Sequence, residues 1–316
     1  MNIIRLYNQN RKQLFIIILI VASVILAIQF VNYLVIKDNK ENLNNGTSSS
    51  STSSATTTYN PQQSAISSSN VPNGTYQKQS SVIDNFIEYC NVGKKQEAYD
   101  LLSNDCKTVL YPTLEDFVQN YLNEIFTHKR TYTIKNWAGN IYKINITKDI
   151  LSTGEYNKGI SIEDYYTLVK SDEEYKLNIN GFISRSKINK SNSKNNVTIE
   201  ILYKDIYMDY TKYTIKATNN TDKTILLDSK ESTQRMYVKD SNNTKYMSYI
   251  NEIPTAELKV LPYSSNEIKI KYASAYVSTR QIISLSFEDI ILDYNTYDGY
   301  ILKEDYTNRA SIKVEL

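Results

Sequence analysis

Histidine and tryptophan each occur once in the 316 residues, cysteine twice and glycine only eight times. Each scarcity closes a line of chemistry. A lone histidine, His128, cannot build a histidine-based metal site. Its place beside Lys129 and Arg130, after a helical pattern, reads as a solvated side chain favoured by the helix dipole. Cys90 and Cys106 lack the neighbouring His or Asn signature of thiol enzymes. No P-loop, GxGxxG or HExxH segment occurs, so phosphate-cradling, dinucleotide-binding and zincin chemistry have no motif to rest on. Net charge is +2 with both signs interspersed, which excludes the concentrated basic stripe that nucleic acid requires. Of the acidic clusters, Asp172-Glu173-Glu174 reads as the solvated tip of a hairpin, and Glu288-Asp289 with Asp293 lacks EF-hand spacing. The chain is therefore expected to be no enzyme, with no catalytic residues, no metal and no cofactor.

What the chain does have begins at Leu14. From there to Ile36 run 23 residues without a charge, interrupted only by Ser23, Gln29, Asn32 and Tyr33. As a helix this run reaches about 34 Å, enough to cross a hydrocarbon core of roughly 30 Å with some tilt. It is too long for a signal-peptide core, which spans about 7–15 residues, and no small-x-small cleavage site follows it. An uncleaved transmembrane helix over 14–36 is expected. Arg5, Arg11 and Lys12, with no acid among residues 1–13, mark that head as cytoplasmic and the rest of the chain as extracytoplasmic.

From Lys37 to Ser80 the composition changes. Between Thr47 and Thr58 every residue except Ala55 is Ser or Thr. Such a segment has too little apolar area to offset its ordering entropy and is expected to be a disordered tether. As a coil of about 44 residues it spans roughly 35 Å.

Tyrosine is abundant, at 28 residues. The ring packs while the hydroxyl stays wet, which suits sugar- or partner-binding surfaces. A composition bias that also raises Asn, Lys and Ile explains the same count. Cys90 and Cys106 both fall outside the cytoplasm in this topology, where a disulfide could form. Cys90 also sits at helical spacing with Ile83, Phe86 and Ile87, so two buried free thiols account for the pair equally.

The folded part reads as two modules. Over 81–187 helices come first and strands after, the order of an α+β domain with helices on one face of an antiparallel sheet. Ser81 and Asp84 open the first helix as a capping box, and Gly93 ends it. Ala98, Leu101 and Leu102 mark a second helix. Thr113 caps the third, whose Leu114, Phe117, Val118, Tyr121, Leu122 and Ile125 form one broad apolar face. Alternation then takes over at Tyr132 and Ile134 and at Tyr142, Ile144 and Ile146, and a hairpin joins 165–169 to 175–179.

Phe86-Ile87-Glu88-Tyr89-Cys90 followed by Glu97-Ala98-Tyr99-Asp100-Leu101-Leu102-Ser103, with the later hairpin Tyr165 to Gly181, resembles the nuclear transport factor 2-like (cystatin-like cone) superfamily. The likeness covers about 105 residues. It implies a cone-shaped sheet whose interior, in the superfamily's enzymes, holds acid/base residues. No strict motif exists to carry over, so none is transferred. A cone can hold a small ligand without a motif, and Tyr132, Trp137, Tyr142, Tyr165 and Tyr166 are the candidates for lining its pocket. Core packing explains the same five.

A polar linker is expected over 188–196. Beyond it, 197–316 reads as strand throughout: Val197-Ile199-Ile201-Tyr203, Tyr213-Ile215-Ala217, Met236-Val238, Ile268-Ile270-Tyr272, Ile283-Leu285-Phe287 and Ile312-Val314 alternate, with turn signals at 219–222, 240–243 and 262–266. This spacing resembles an immunoglobulin-like β-sandwich of the kind carried by exported bacterial proteins. An anchor bearing a cone-shaped domain resembles inner-membrane components of type IV secretion and conjugation machines, which implies a scaffold. The expected function is thus a membrane-anchored, non-catalytic interaction module at the cell surface, with a protein partner or a second copy of itself. The alternative is a receptor or sensor that captures a small ligand in the cone.

Overall fold

The computed structural model describes residues 73–148, 161–172, 174–231 and 235–316. The expected head, transmembrane helix and most of the tether lie outside these residues. Among the described residues no helix is long and apolar enough to cross a membrane. The fold is mixed α+β, with mostly antiparallel sheets and few helices.

Helix α1 (Asn73–Asn91) starts eight residues before the expected cap. Tyr76, Gln79, Ser80, Ile83, Phe86, Ile87 and Cys90 form its buried stripe. Gln79 and Ser80 break the hydropathy pattern, so the first two turns looked like tether. The Tyr142 hydroxyl donates to Gln79 Oε1 at 2.5 Å, which satisfies that buried polar group. The Ser81 capping box does not form. Ser81 Oγ donates to the Lys78 carbonyl at 2.9 Å, and Asp84 accepts from the Tyr132 hydroxyl at 2.6 Å. Gly93, at φ +75°, supplies the left-handed residue that ends the helix.

Two short helices follow, α2 (Lys95–Asp100) and α3 (Asn104–Leu110). The third expected helix is present as α4 (Leu114–Phe117), a π-helical turn Val118–Leu122 and α5 (Asn123–Ile125). Its cap is a reciprocal capping box: Thr113 Oγ1 accepts from Asp116 N, and the Asp116 carboxylate accepts from Thr113 N, each at 3.1 Å.

The helices cover one face of an antiparallel sheet ordered β1 (Arg130–Ala138), β2 (Ile141–Lys148), β3 (Ile162–Ser171) and β4 (Glu174–Asn178). Cross-strand pairs Ile134↔Ile144, Tyr142↔Tyr166 and Leu168↔Leu177 supply the buried face. The outer edge of β4 is closed by residues 101–103, through Ser103 N to Leu177 O and Leu177 N to Leu101 O, both 2.8 Å. That contact hides an edge that would otherwise template pairing with another chain.

The expected linker 188–196 is corrected. Residues 188–194 belong to β5 (Phe182–Lys194), which pairs along its length with β6 (Val197–Tyr207). The turn between them is Asn195-Asn196, at φ 52° and 59°, as a two-residue hairpin of right-handed twist demands. Alternation failed to show β5 because almost all of its second half is exposed. The same strand pair also joins the two cores. Phe182 and Tyr207 pack in the helix-covered core, with ring centroids 5.3 Å apart, while Val197, Ile199 and Ile201 pack in the second.

The second core lies between two sheets. One is ordered β12 (Ser264–Tyr272), β7 (Thr211–Asn219), β6, β5. The other is ordered β10 (Lys245–Met247), β9 (Met236–Asp240), β13 (Ile282–Ile291), β8 (Ile225–Leu226), β11 (Lys259–Val260), with β14 (Arg309–Glu315) also paired to β13. The expected strands all appear. The short helices α6 (Thr255–Leu258) and α7 (Tyr294–Asp298) were not visible in the alternation.

Candidate functional site

The five aromatic residues expected to line one pocket do not share a face. Tyr142 lies opposite Tyr166, and Tyr132 opposite Ile146, so these three look toward the helices. Tyr165 pairs with Lys143 on the other side. Trp137 sits in a bulge between Asn136 and Ala138, is 53% exposed, and meets the Tyr165 ring edge-on at 5.7 Å. On the helix side the polar tips are already engaged: Tyr132 on Asp84, Tyr142 on Gln79, and the Tyr166 hydroxyl on that of Tyr121 at 2.5 Å. Phe86, Tyr111, Phe117, Tyr121 and Tyr166 fill the space between helix and sheet, with Phe117 stacked on Tyr121 at 5.5 Å and Phe86 edge-on to Tyr166 at 5.7 Å. None of the described clefts is lined by these rings.

Cys90 and Cys106 are both buried and unbonded, which corrects the disulfide alternative. Each thiol is packed into the helix-covered core, and burial raises the Cys106 pKa to about 12 and that of Cys90 as well. His128 is exposed.

Acid/base chemistry would need a buried carboxylate facing a cavity. Asp164 is buried on β3, and desolvation lifts its pKa from 3.8 to about 6 against the opposing pull of three backbone donors. Those donors are Tyr165 N at 2.7 Å, Gly181 N at 2.9 Å and Asn180 N at 3.1 Å. Both carboxylate oxygens are engaged, clasping β3 to the left-handed turn Asn180-Gly181, and none of the described clefts reaches them.

A denser polar cluster lies on the second core. The β13–β14 register slips between Phe287 and Ile290, and this bulge holds Glu288 and Asp289. Asp289 is fully buried. It accepts from Arg235 Nη1 at 2.9 Å, from Arg309 Nη1, and from Ser229 Oγ. Arg309 also donates to Glu231 at 3.0 Å, to the Lys303 carbonyl at 2.9 Å and to the Tyr306 carbonyl at 3.0 Å. Neighbouring Asp228 is buried with its pKa raised to about 6, by desolvation first and then by the Asp289 charge. By sequence, Glu288-Asp289 with Asp293 only lacked EF-hand spacing. The signal missed there was an acid set between Phe287 and Ile290-Ile291, where only paired charge is tolerated. Among the described residues no group of His, Cys, Asp or Glu is arranged to hold a metal.

Above this cluster opens a cleft of about 600 Å³, walled by Glu231, Arg235, Lys303 and Arg309 and rimmed by Ile301, Leu302, Glu304 and Asp305. Ile301 is 95% exposed and Leu302 63%. Asp289 is paired with two guanidinium groups, while the cleft presents Ile301 and Leu302 beside Arg235, whose side chain is 40% exposed. Set against protein-family models, curated proteins and solved structures, the chain finds no match in any of the three.

Proposed function

We propose that the chain is a single-pass membrane protein, amino terminus cytoplasmic, whose folded part acts outside the cytoplasm as a non-catalytic interaction module. In this reading the helix-covered sheet is a nuclear transport factor 2-like domain, and the two sheets sharing a core are an immunoglobulin-like sandwich. Its support is the charge-free run Leu14–Ile36 for the anchor, and the contrast between a closed interior and an open exterior for the activity. The single observation that carries it is the cleft beside Ile301 and Leu302. Aliphatic side chains left bare next to ordered arginines match the apolar-core, Arg-rich anatomy of protein interfaces. The partner is a protein, either another chain or a second copy. The test places a photo-cross-linking residue at Ile301 in the full chain in its own membrane. A discrete adduct, lost when Leu302 is changed to Asp, is expected. A monomer with no adduct, at expression levels where the chain is folded, refutes the reading.

A further inference from the structure

Strand β6 also carries a bulge. Ile201 pairs with Ile215, but Tyr203 pairs with Thr214, so Leu202 is extra and the faces exchange. Tyr203, which the alternation put inside, lies on the outer face under the Arg185 guanidinium, 4.6 Å from its ring centroid. Lys204 takes the inner side, opposite the buried Tyr213. A lysine on the core side of a sheet needs an acid or a solvated exit. Among the described residues Lys204 has neither an ion pair nor a hydrogen bond, and burial alone holds its ammonium below the ordinary lysine range.

Lys204 instead lines a pocket of about 110 Å³ together with Arg280. No carboxylate lines it. Arg280 Nη1 donates to the Ala275 carbonyl and the guanidinium lies over the Tyr246 ring, which leaves its other donors unengaged among the described residues. Asp240 senses the charge of Arg280, but its oxygens are engaged by Asn242 N, Thr244 N and the Tyr246 hydroxyl, each at 2.9 Å. The hydroxyls of Thr211 and Ser274, also on the wall, bond to each other at 2.8 Å. The charged groups on the pocket wall are therefore both cationic; Tyr276 and Ser278 complete its polar lining, and Ile206, Val277 and Ile282 give it an apolar side.

We propose that this pocket binds a short aliphatic carboxylate, its oxygens on Lys204 Nζ and the Arg280 guanidinium and its chain against Ile206, Val277 and Ile282. A pocket of about 110 Å³ suits the head and first carbons of a short acid. Phosphate would satisfy the charges and leave the apolar wall unused. The site is separate from the Asp289 cleft and does not depend on the interaction reading.

The test is calorimetric titration of the full chain, purified in detergent, with sodium propionate against sodium chloride at equal ionic strength. Saturable binding to propionate is expected, weakened at least tenfold by Lys204→Met, which keeps the stem, and by Arg280→Gln. Unliganded melting temperatures establish that both variants fold; should one fail, the other and the chloride control decide. Equal heats for propionate and chloride overturn the proposal, as does undiminished binding by a folded variant. Phosphate binding as tightly as propionate overturns the assignment to a carboxylate. Tighter binding of N-acetylalanine, which presents the same group as a chain end, overturns the assignment to a free acid.

Discussion

Asp164→Asn should change how stability depends on pH more than stability itself. In the folded chain the carboxyl titrates near 6 rather than 3.8, because burial outweighs three backbone hydrogen bonds. A raised folded pKa means that the native state holds the proton more tightly than the unfolded chain does. The stability from this group is fully present below about pH 4 and is lost as pH rises through 6. Two pKa units at 1.36 kcal/mol each give a loss of about 3 kcal/mol between pH 4 and 7. The amide cannot titrate, and it offers one acceptor oxygen to three N–H donors. At low pH the variant is therefore the weaker protein, by about 1–3 kcal/mol for buried donors left unpaired. Its deficit shrinks by about 3 kcal/mol on going to pH 7. Urea unfolding of both proteins at pH 4, 5, 6 and 7 measures the gap directly. A constant gap, or one that widens with pH, would show that Asp164 is not held against its own desolvation, and the clasp argument would fail.

Asp289→Ala removes the acceptor between Arg235 and Arg309 and leaves a guanidinium in a buried site, a loss of about 3–5 kcal/mol readable by chemical denaturation. Arg235→Ala, at an end 40% exposed, should cost far less in the same experiment, and equal losses would contradict the pairing described. Tyr166→Phe strands the Tyr121 hydroxyl in the aromatic core and should destabilise by about 1–3 kcal/mol. Adding Tyr121→Phe should recover part of that loss, and strict additivity in the double-mutant cycle would deny the contact. Cys90 and Cys106, buried with raised pKa values, should resist alkylation in the folded chain and react after denaturation, with no change in melting temperature under reductant.

Where the sequence was legible, the local rule and the global fold agreed. The Thr113 cap, Gly93 and the alternation through Ile268-Ile270-Tyr272 each specify their structure within a few residues. The failures have a common physical origin. A period of two is readable only while register holds, and one extra residue exchanges every later side chain between faces. Trp137 occupies such a slip and parts from the residues it was grouped with. Leu202 is another, and it exchanges Tyr203 for Lys204 on the core side. Asp289 lies in a third, which sets an acid where the pattern called for an apolar residue. The other misreadings came from polar residues that alternation cannot read: buried Gln79 and Ser80 concealed two turns of α1, and the exposed, polar half of β5 passed for a linker. Bulges gather at sites that re-aim a side chain, so it follows that two of these three slips carry the groups proposed to act, Asp289 beneath the docking cleft and Lys204 in the carboxylate pocket. Strict alternation predicts the core of this chain well and its chemistry poorly, because the chemistry is placed by the residues that break the alternation.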